Sequence, residues 1–220
     1  VEGQKGDGKT TLTLGAPDPI AYLKLETGDE GVVEKFVAQG KTILKKRIYY
    51  HEGNWKEAWA DLRQAVKDAC YSPEVQTIIF DTMTEVYELG RMAHFGGRLS
   101  QVVPREYGVI YSDMKELTRM VEGSGKNGIF IHKLEGRFDD KATLEMKGWD
   151  GIIWDMQMCV RLYRMPKGDP NGYQDRERYM GQITECRQNG KVIGEWIEGL
   201  EEEGGTFSFN HLLKLVHGAS

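Results

Sequence analysis

Apolar residues along this chain follow two rhythms, and the change between them falls near residue 133. Before it, short unbroken apolar runs alternate with stretches in which apolar residues return at helical spacing. Unbroken runs read as strands buried on both faces, and the spaced ones as amphipathic helices. The runs at 20–25 and 75–80 predict buried strands ending at Glu26 and Asp81, with further strands at 42–50 and 129–131. Trp55, Ala58, Trp59, Leu62, Ala65, Val66 and Ala69 form one stripe and predict a helix over 55–71, with Asn54 placed as its N-cap. Helices are also predicted over 8–14, 29–38, 84–95 and 107–122. Pro17 and Pro19 stop the first of these, and Gly96, Gly97 and Pro104 mark a loop after the 84–95 helix.

Beyond residue 133 the pattern is different. Residues 134–149 read as a mobile loop of mixed charge. Residues 152–164 and 179–197 predict antiparallel strands with turns at 166–172 and 188–190, and 208–216 predicts a closing helix. Alternating strands and helices followed by hairpins predict one α/β domain over 1–220. Its core would be 1–133, a mostly parallel sheet flanked by helices, and 150–220 would form an antiparallel edge and the closing helix.

Composition narrows the picture. The 220 residues suit one domain with a substantial core, and 40% apolar with 29% charged residues is ordinary for a globular protein. A net charge of −5 excludes a polybasic nucleic-acid binder, so any such contact must come from local basic loops or from assembly. No apolar stretch is long enough to span a membrane, and no export signal is visible. Cys70, Cys159 and Cys186 are few and widely spaced, which suggests a reducing, cytoplasmic setting rather than a disulfide framework or zinc site.

The chemistry is concentrated at the start. Gly3-Gln4-Lys5-Gly6-Asp7-Gly8-Lys9-Thr10, followed by Thr11, fits the phosphate-loop pattern of Gly, four variable residues, Gly, Lys and Ser or Thr. Glycines let such a loop curl so that backbone N–H groups meet phosphate oxygens, and the following helix adds its positive end. Lys9 would reach the β- and γ-phosphates of ATP, and the Thr10 hydroxyl would help hold Mg²⁺. Only Val1 and Glu2 precede Gly3, so the strand expected before such a loop is missing or incomplete in this chain. The turn at 123–128 also contains Gly-Lys, but it lies between a helix and a strand, the reverse of the required order.

Three predicted strands end in polar residues. Asp81 is placed to serve Mg²⁺, with helix N-capping as the alternative. Glu26 is placed to orient or deprotonate the attacking water, with Asp29 and Glu30 as nearby competitors. His132 is placed to contact the γ-phosphate and report nucleotide state to the next loop, or to be a hydrogen-bonded strand end. Arg91, Arg98 and Arg105 form a basic cluster that would line a channel in an assembly or lie in an exposed loop.

The stretches 3–11, 21–26, 78–81 and 128–133 occur in the order found in RecA/Rad51-like ATPases, which the chain resembles over most of its length. The likeness is strongest to phage-encoded nucleotide-binding proteins of the Sak-type single-strand annealing ATPases. The resemblance implies a RecA-like P-loop fold, ATP and Mg²⁺ as ligands, and hydrolysis shared across a homo-oligomeric ring or filament. It also implies action on single-stranded DNA in phage recombination or replication, in the host-cell cytoplasm. It assigns Glu26 to water activation, Asp81 to Mg²⁺ and His132 to γ-phosphate sensing. It makes 134–149 a DNA-binding loop, with Arg137, Phe138, Lys141, Lys147 and Trp149 as its cations and rings. Arg187 would reach a neighbour's nucleotide, although Glu185 stands where relatives often carry Lys. A helicase-like or packaging motor, and a nucleotide-dependent scaffold that does not bind DNA, are the competing readings.

Overall fold

The computed structural model describes residues 1–26, 31–136, 143–170, 175–199 and 204–217. They fall into two compact units, one formed by Pro17–His132 with Lys147–Ile152, the other by Val1–Ala16, Lys133–Met146 and Ile153–Ser220.

In the first unit, β2 (Ile20–Lys24) pairs in parallel with β3 (Ile43–Arg47) on one side and β4 (Thr77–Asp81) on the other. β4 pairs in parallel with β5 (Asn127–Gly136). Every residue of β2 and β4 is buried, as expected for strands covered on both faces, and this is why they read as unbroken runs. β3 is exposed over its three central residues, as befits the strand that ends the pairing. Three helices pack together beside them: α3 (Trp55–Tyr71), α4 (Met83–Phe95) and α5 (Gly108–Gly123). A short α2 (Val32–Ala38) joins β2 to β3. Ala58, Trp59, Leu62, Val66 and Ala69 of the predicted stripe are buried, while Trp55 and Ala65 are half-buried. Lys126 ties the turn before β5 to the end of α3 by donating to the Ser72 and Val75 carbonyls at 2.6 Å each.

Asn54 departs from expectation. It stands at the N-cap of α3 but makes no side-chain bond to the helix; its Oδ1 instead accepts from His51 N at 2.7 Å. The preceding turn takes the acceptor that the helix start would have used. Thr82 does cap α4, accepting from Glu85 N at 3.3 Å.

In the second unit, β1 (Glu2–Gly3) pairs in parallel with β7 (Met158–Met165). β7 pairs antiparallel with β8 (Arg178–Cys186), and β8 with β9 (Trp196–Glu198). α1 (Lys9–Leu14) and α6 (Phe209–His217) complete it. Leu12, Val160, Leu162, Ile183, Ile197, Phe207 and Leu212 form its core. Glu2, only 5% exposed, is neutralised by Arg161 at 2.7 Å. The strand predicted over 152–164 begins later than expected. Asp150–Trp154 forms a turn of 3₁₀ helix, and pairing starts at Met158. β5 runs past its predicted end, and Leu134–Gly136 pairs antiparallel with β6 (Leu144–Met146). The rims of the predicted loop are therefore strand, while 137–142, including Arg137, Phe138 and Lys141, lie outside the described residues.

The fold is thus α/β, with mostly parallel pairing in the first unit and antiparallel strands toward the C-terminus. Among the described residues, no helix is long and apolar enough to cross a membrane.

Candidate functional site

The phosphate-loop segment leaves β1 at Gly3 and enters α1 at Lys9. Gly6 and Gly8 hold φ of +90° and +82°, a region that side-chain-bearing residues rarely adopt. The loop closes on itself: Asp7 N donates to Gln4 O at 3.3 Å, and Gln4 N donates to Asp7 Oδ2 at 2.6 Å. Lys9 folds back along the loop, with Nζ donating to Gly3 O at 2.9 Å and to Gln4 O at 2.5 Å. Lys9 thus holds its ammonium against the bend. Thr10 and Thr11 lie in the first turn of α1, and Thr13 Oγ1 donates to Thr10 O at 3.2 Å.

Asp7 is more than a variable position. Its side chain turns into the loop and is 9% exposed. Burial raises its carboxyl above the usual range, opposed by the Gln4 N–H and then by Lys9 and Arg164. The Arg164 guanidinium and the Tyr179 ring lie against Gly6 and Gly8, a packing that no local sequence signal announced.

In the other unit, Asp81 ends β4 and is 6% exposed. Tyr22, fully buried on β2, donates its hydroxyl to Asp81 Oδ2. Register sets Lys24 beside Asp81, so Tyr22, Lys24 and Asp81 share one sheet face. Lys24 is 1% exposed, and its ammonium lies 5.8 Å from the Tyr22 ring centre. Sequence reasoning passed over both residues. Their signal was period-two spacing with Glu26 inside an otherwise apolar run.

Glu26 lies two residues beyond β2 and is half-buried. Burial and a hydrogen bond donated to Glu85 hold the nearby Tyr50 hydroxyl in its neutral form, with Glu88 and Glu26 adding to the effect. Asp29 and Glu30 lie outside the described residues.

Ile131, not His132, is paired with Asp81, so His132 stands on the alternate face of the sheet. His132 is 2% exposed. Among the described residues neither ring nitrogen finds a partner with hydrogen-bond geometry, although the Lys147 backbone is close enough to favour the charged form. Burial dominates and pushes the imidazole down to about 3, so it is neutral at physiological pH. Thr84 on α4 donates to Lys147 O at 3.1 Å, anchoring the chain that returns from the 137–142 segment.

Arg187 lies one residue past β8 and is exposed, as is Glu185; its backbone N–H donates to Gln157 O at 2.8 Å. One sequence reading changes. Trp149 is 4% exposed and packs against Gly151, so its ring is not offered to bases. Arg91 is held by Glu88 at 2.8 Å and Arg98 by Glu106 at 3.7 Å, so neighbouring acids offset two of the three charges in the basic cluster.

The residues suit the groups that the motif implies. At Gly6 the φ of +90° disfavours any side chain, a Cβ there would press on Arg164 Nη1 at 2.8 Å, and Lys9 supplies positive charge. Within its own unit, Thr10 carries a hydroxyl oxygen, and within the other, Asp81 carries carboxylate oxygens; both are hard donors of the kind Mg²⁺ takes. Among the described residues, no group of three or more His, Cys, Asp or Glu could hold a metal alone.

Fold and strand pairing define an α/β protein with mostly parallel pairing in one unit and antiparallel strands toward the C-terminus. No protein-family model and no curated protein sequence matches the chain. Among solved structures, it is similar to the crystal structure of the RadB recombinase, with a TM-score of 0.56 over 90% of this chain and 84% of that one. The two are 12% identical, so the likeness is one of fold.

Proposed function

We propose that this chain is an ATPase that binds ATP with Mg²⁺ at its phosphate loop and acts on single-stranded DNA as an assembly of like subunits. The observation that carries the reading is the loop: two left-handed glycines and a lysine folded over its carbonyls, on a RecA-like fold. In this reading Lys9 exchanges those carbonyls for the β- and γ-phosphates, while backbone N–H groups at the entry to α1 take the remaining phosphate oxygens. Thr10 and Asp81 hold Mg²⁺, which when bound neutralises charge developing on the phosphates. Glu26 accepts a proton from water as the new O–P bond forms, and the bond from the γ-phosphorus to the β–γ bridging oxygen breaks, releasing ADP and phosphate.

His132, neutral beside the Lys147 backbone, suits a part in passing nucleotide state to the 134–149 segment. The exposed Arg187 suits reaching a neighbouring subunit's nucleotide. The finer likeness, to Sak-type phage annealing ATPases, supports a role in phage recombination or replication.

A nucleotide-dependent scaffold that does not bind DNA is the second reading. The paired Arg91 and Arg98 and the buried Trp149 favour it. ATP turnover measured across protein concentration, with and without single-stranded DNA, tests both. Steep concentration dependence and DNA stimulation are expected. Turnover indifferent to DNA would favour the scaffold, and undiminished turnover in Lys9→Ala would overturn the site assignment.

A further inference from the structure

The hairpin of β7 and β8 reaches the phosphate loop with three side chains whose role the motif does not explain. Arg164 and Tyr179 sit directly opposite one another in the β7–β8 register, so both project from one face. Arg164 Nη1 lies 2.8 Å from the position a Cβ on Gly6 would occupy, and Tyr179 Cδ1 lies 3.0 Å from that on Gly8. Glu177 holds both: its Oε1 is 3.1 Å from Arg164 Nη2, and its Oε2 accepts from the Tyr179 hydroxyl at 2.7 Å. The Arg164 and Glu177 side chains are 41% and 40% exposed, a wet ion pair that exchanges partners at little cost. The guanidinium also acts on Asp7 inside the loop.

We propose that Arg164 is a second phosphate-binding cation of the loop, supplied by the same chain, and that Glu177 holds it in reserve until a nucleoside triphosphate competes for it. A guanidinium presents a planar fork that grips two oxygens of one phosphate in parallel, a fixed bidentate geometry that the compact Lys9 ammonium lacks. The inference rests on the nucleotide-binding reading above. It makes opposite predictions for the two partners of one ion pair. A merely structural pair would respond to either change in the same direction.

Binding of ATP to the full chain is measured by calorimetry for wild type, Arg164→Gln, Arg164→Lys and Glu177→Gln, with circular dichroism confirming the fold of each. Arg164→Gln is expected to weaken ATP about tenfold, Arg164→Lys to recover part of that loss, and Glu177→Gln to tighten ATP about threefold. Unchanged affinity in Arg164→Gln, or equal weakening in both Gln variants, would overturn the proposal while leaving nucleotide binding intact. An Arg164→Gln chain that fails to fold, with Arg164→Lys binding as wild type and Glu177→Gln no tighter, would assign Arg164 to loop support and overturn it too. A wild-type chain that binds no ATP would overturn both readings together.

Discussion

Replacing Tyr22 with Phe removes one oxygen atom from the interior and leaves the ring in place. Tyr22 is fully buried, and its hydroxyl donates to Asp81 Oδ2, a carboxylate that is itself 6% exposed. Water has little access to restore the lost bond. The packing of the ring against the Lys24 ammonium, 5.8 Å from its centre, is retained. A hydrogen bond to a charged group contributes about 1.5–3 kcal/mol, and full burial of the donor places this one near the middle, about 2 kcal/mol. For a chain of 220 residues each kcal/mol moves the melting temperature by about 2–4 °C, so Tyr22→Phe should melt about 4–8 °C lower. Calorimetry gives the melting temperature, and urea titration should show a lower midpoint with an unchanged slope. A melting temperature within about 1 °C of wild type would refute the reasoning, because a hydroxyl buried against a carboxylate cannot be removed at so little cost.

Other outcomes follow from the same geometry. His132 is held near 3 in the folded chain, below its ordinary value, so the unfolded chain binds the proton first as pH falls. Its contribution to stability is complete above about pH 6.5 and fades toward pH 3, amounting to about 2 kcal/mol lost at pH 5. Urea midpoints at pH 5 and pH 8 should therefore differ less in His132→Gln than in wild type; equal differences would contradict the burial argument. Arg161→Met strands Glu2, and breaking that part-buried pair should cost about 1–3 kcal/mol by urea denaturation, with no loss arguing that Glu2 is reached by water. Glu26→Gln should bind ATP normally and turn it over at least about 100-fold more slowly, as general bases usually require; unchanged turnover would remove Glu26 from its role.

Much of this protein was legible before any coordinate was known. The runs at 20–25 and 75–80 were recognisable because strands covered on both faces need apolar residues at successive positions. The α3 stripe was legible because one helical face must meet the core at a fixed spacing. The turn at 188–190 was legible from its Asn and Gly, and the chain does reverse there into β9. Less legible were the choices between equivalent local partners. Asn54 could bond its helix or the preceding turn, and it bonds the turn. Trp149 sits among charged residues in sequence, yet it is buried.

What the sequence by itself determined was the glycine bend at residues 3–8, the rhythm of strand and helix, and the acids that stand at the end of β4 and just past the end of β2. Each depends on backbone freedom or on burial repeated at short range, and short-range order is written in neighbouring residues. Only tertiary structure set Tyr22 and Lys24 beside Asp81, and Arg164 and Tyr179 against Gly6 and Gly8. Those meetings depend on register between strands far apart in the chain. Register is decided by many weak contacts acting together, and no short stretch of residues carries that sum.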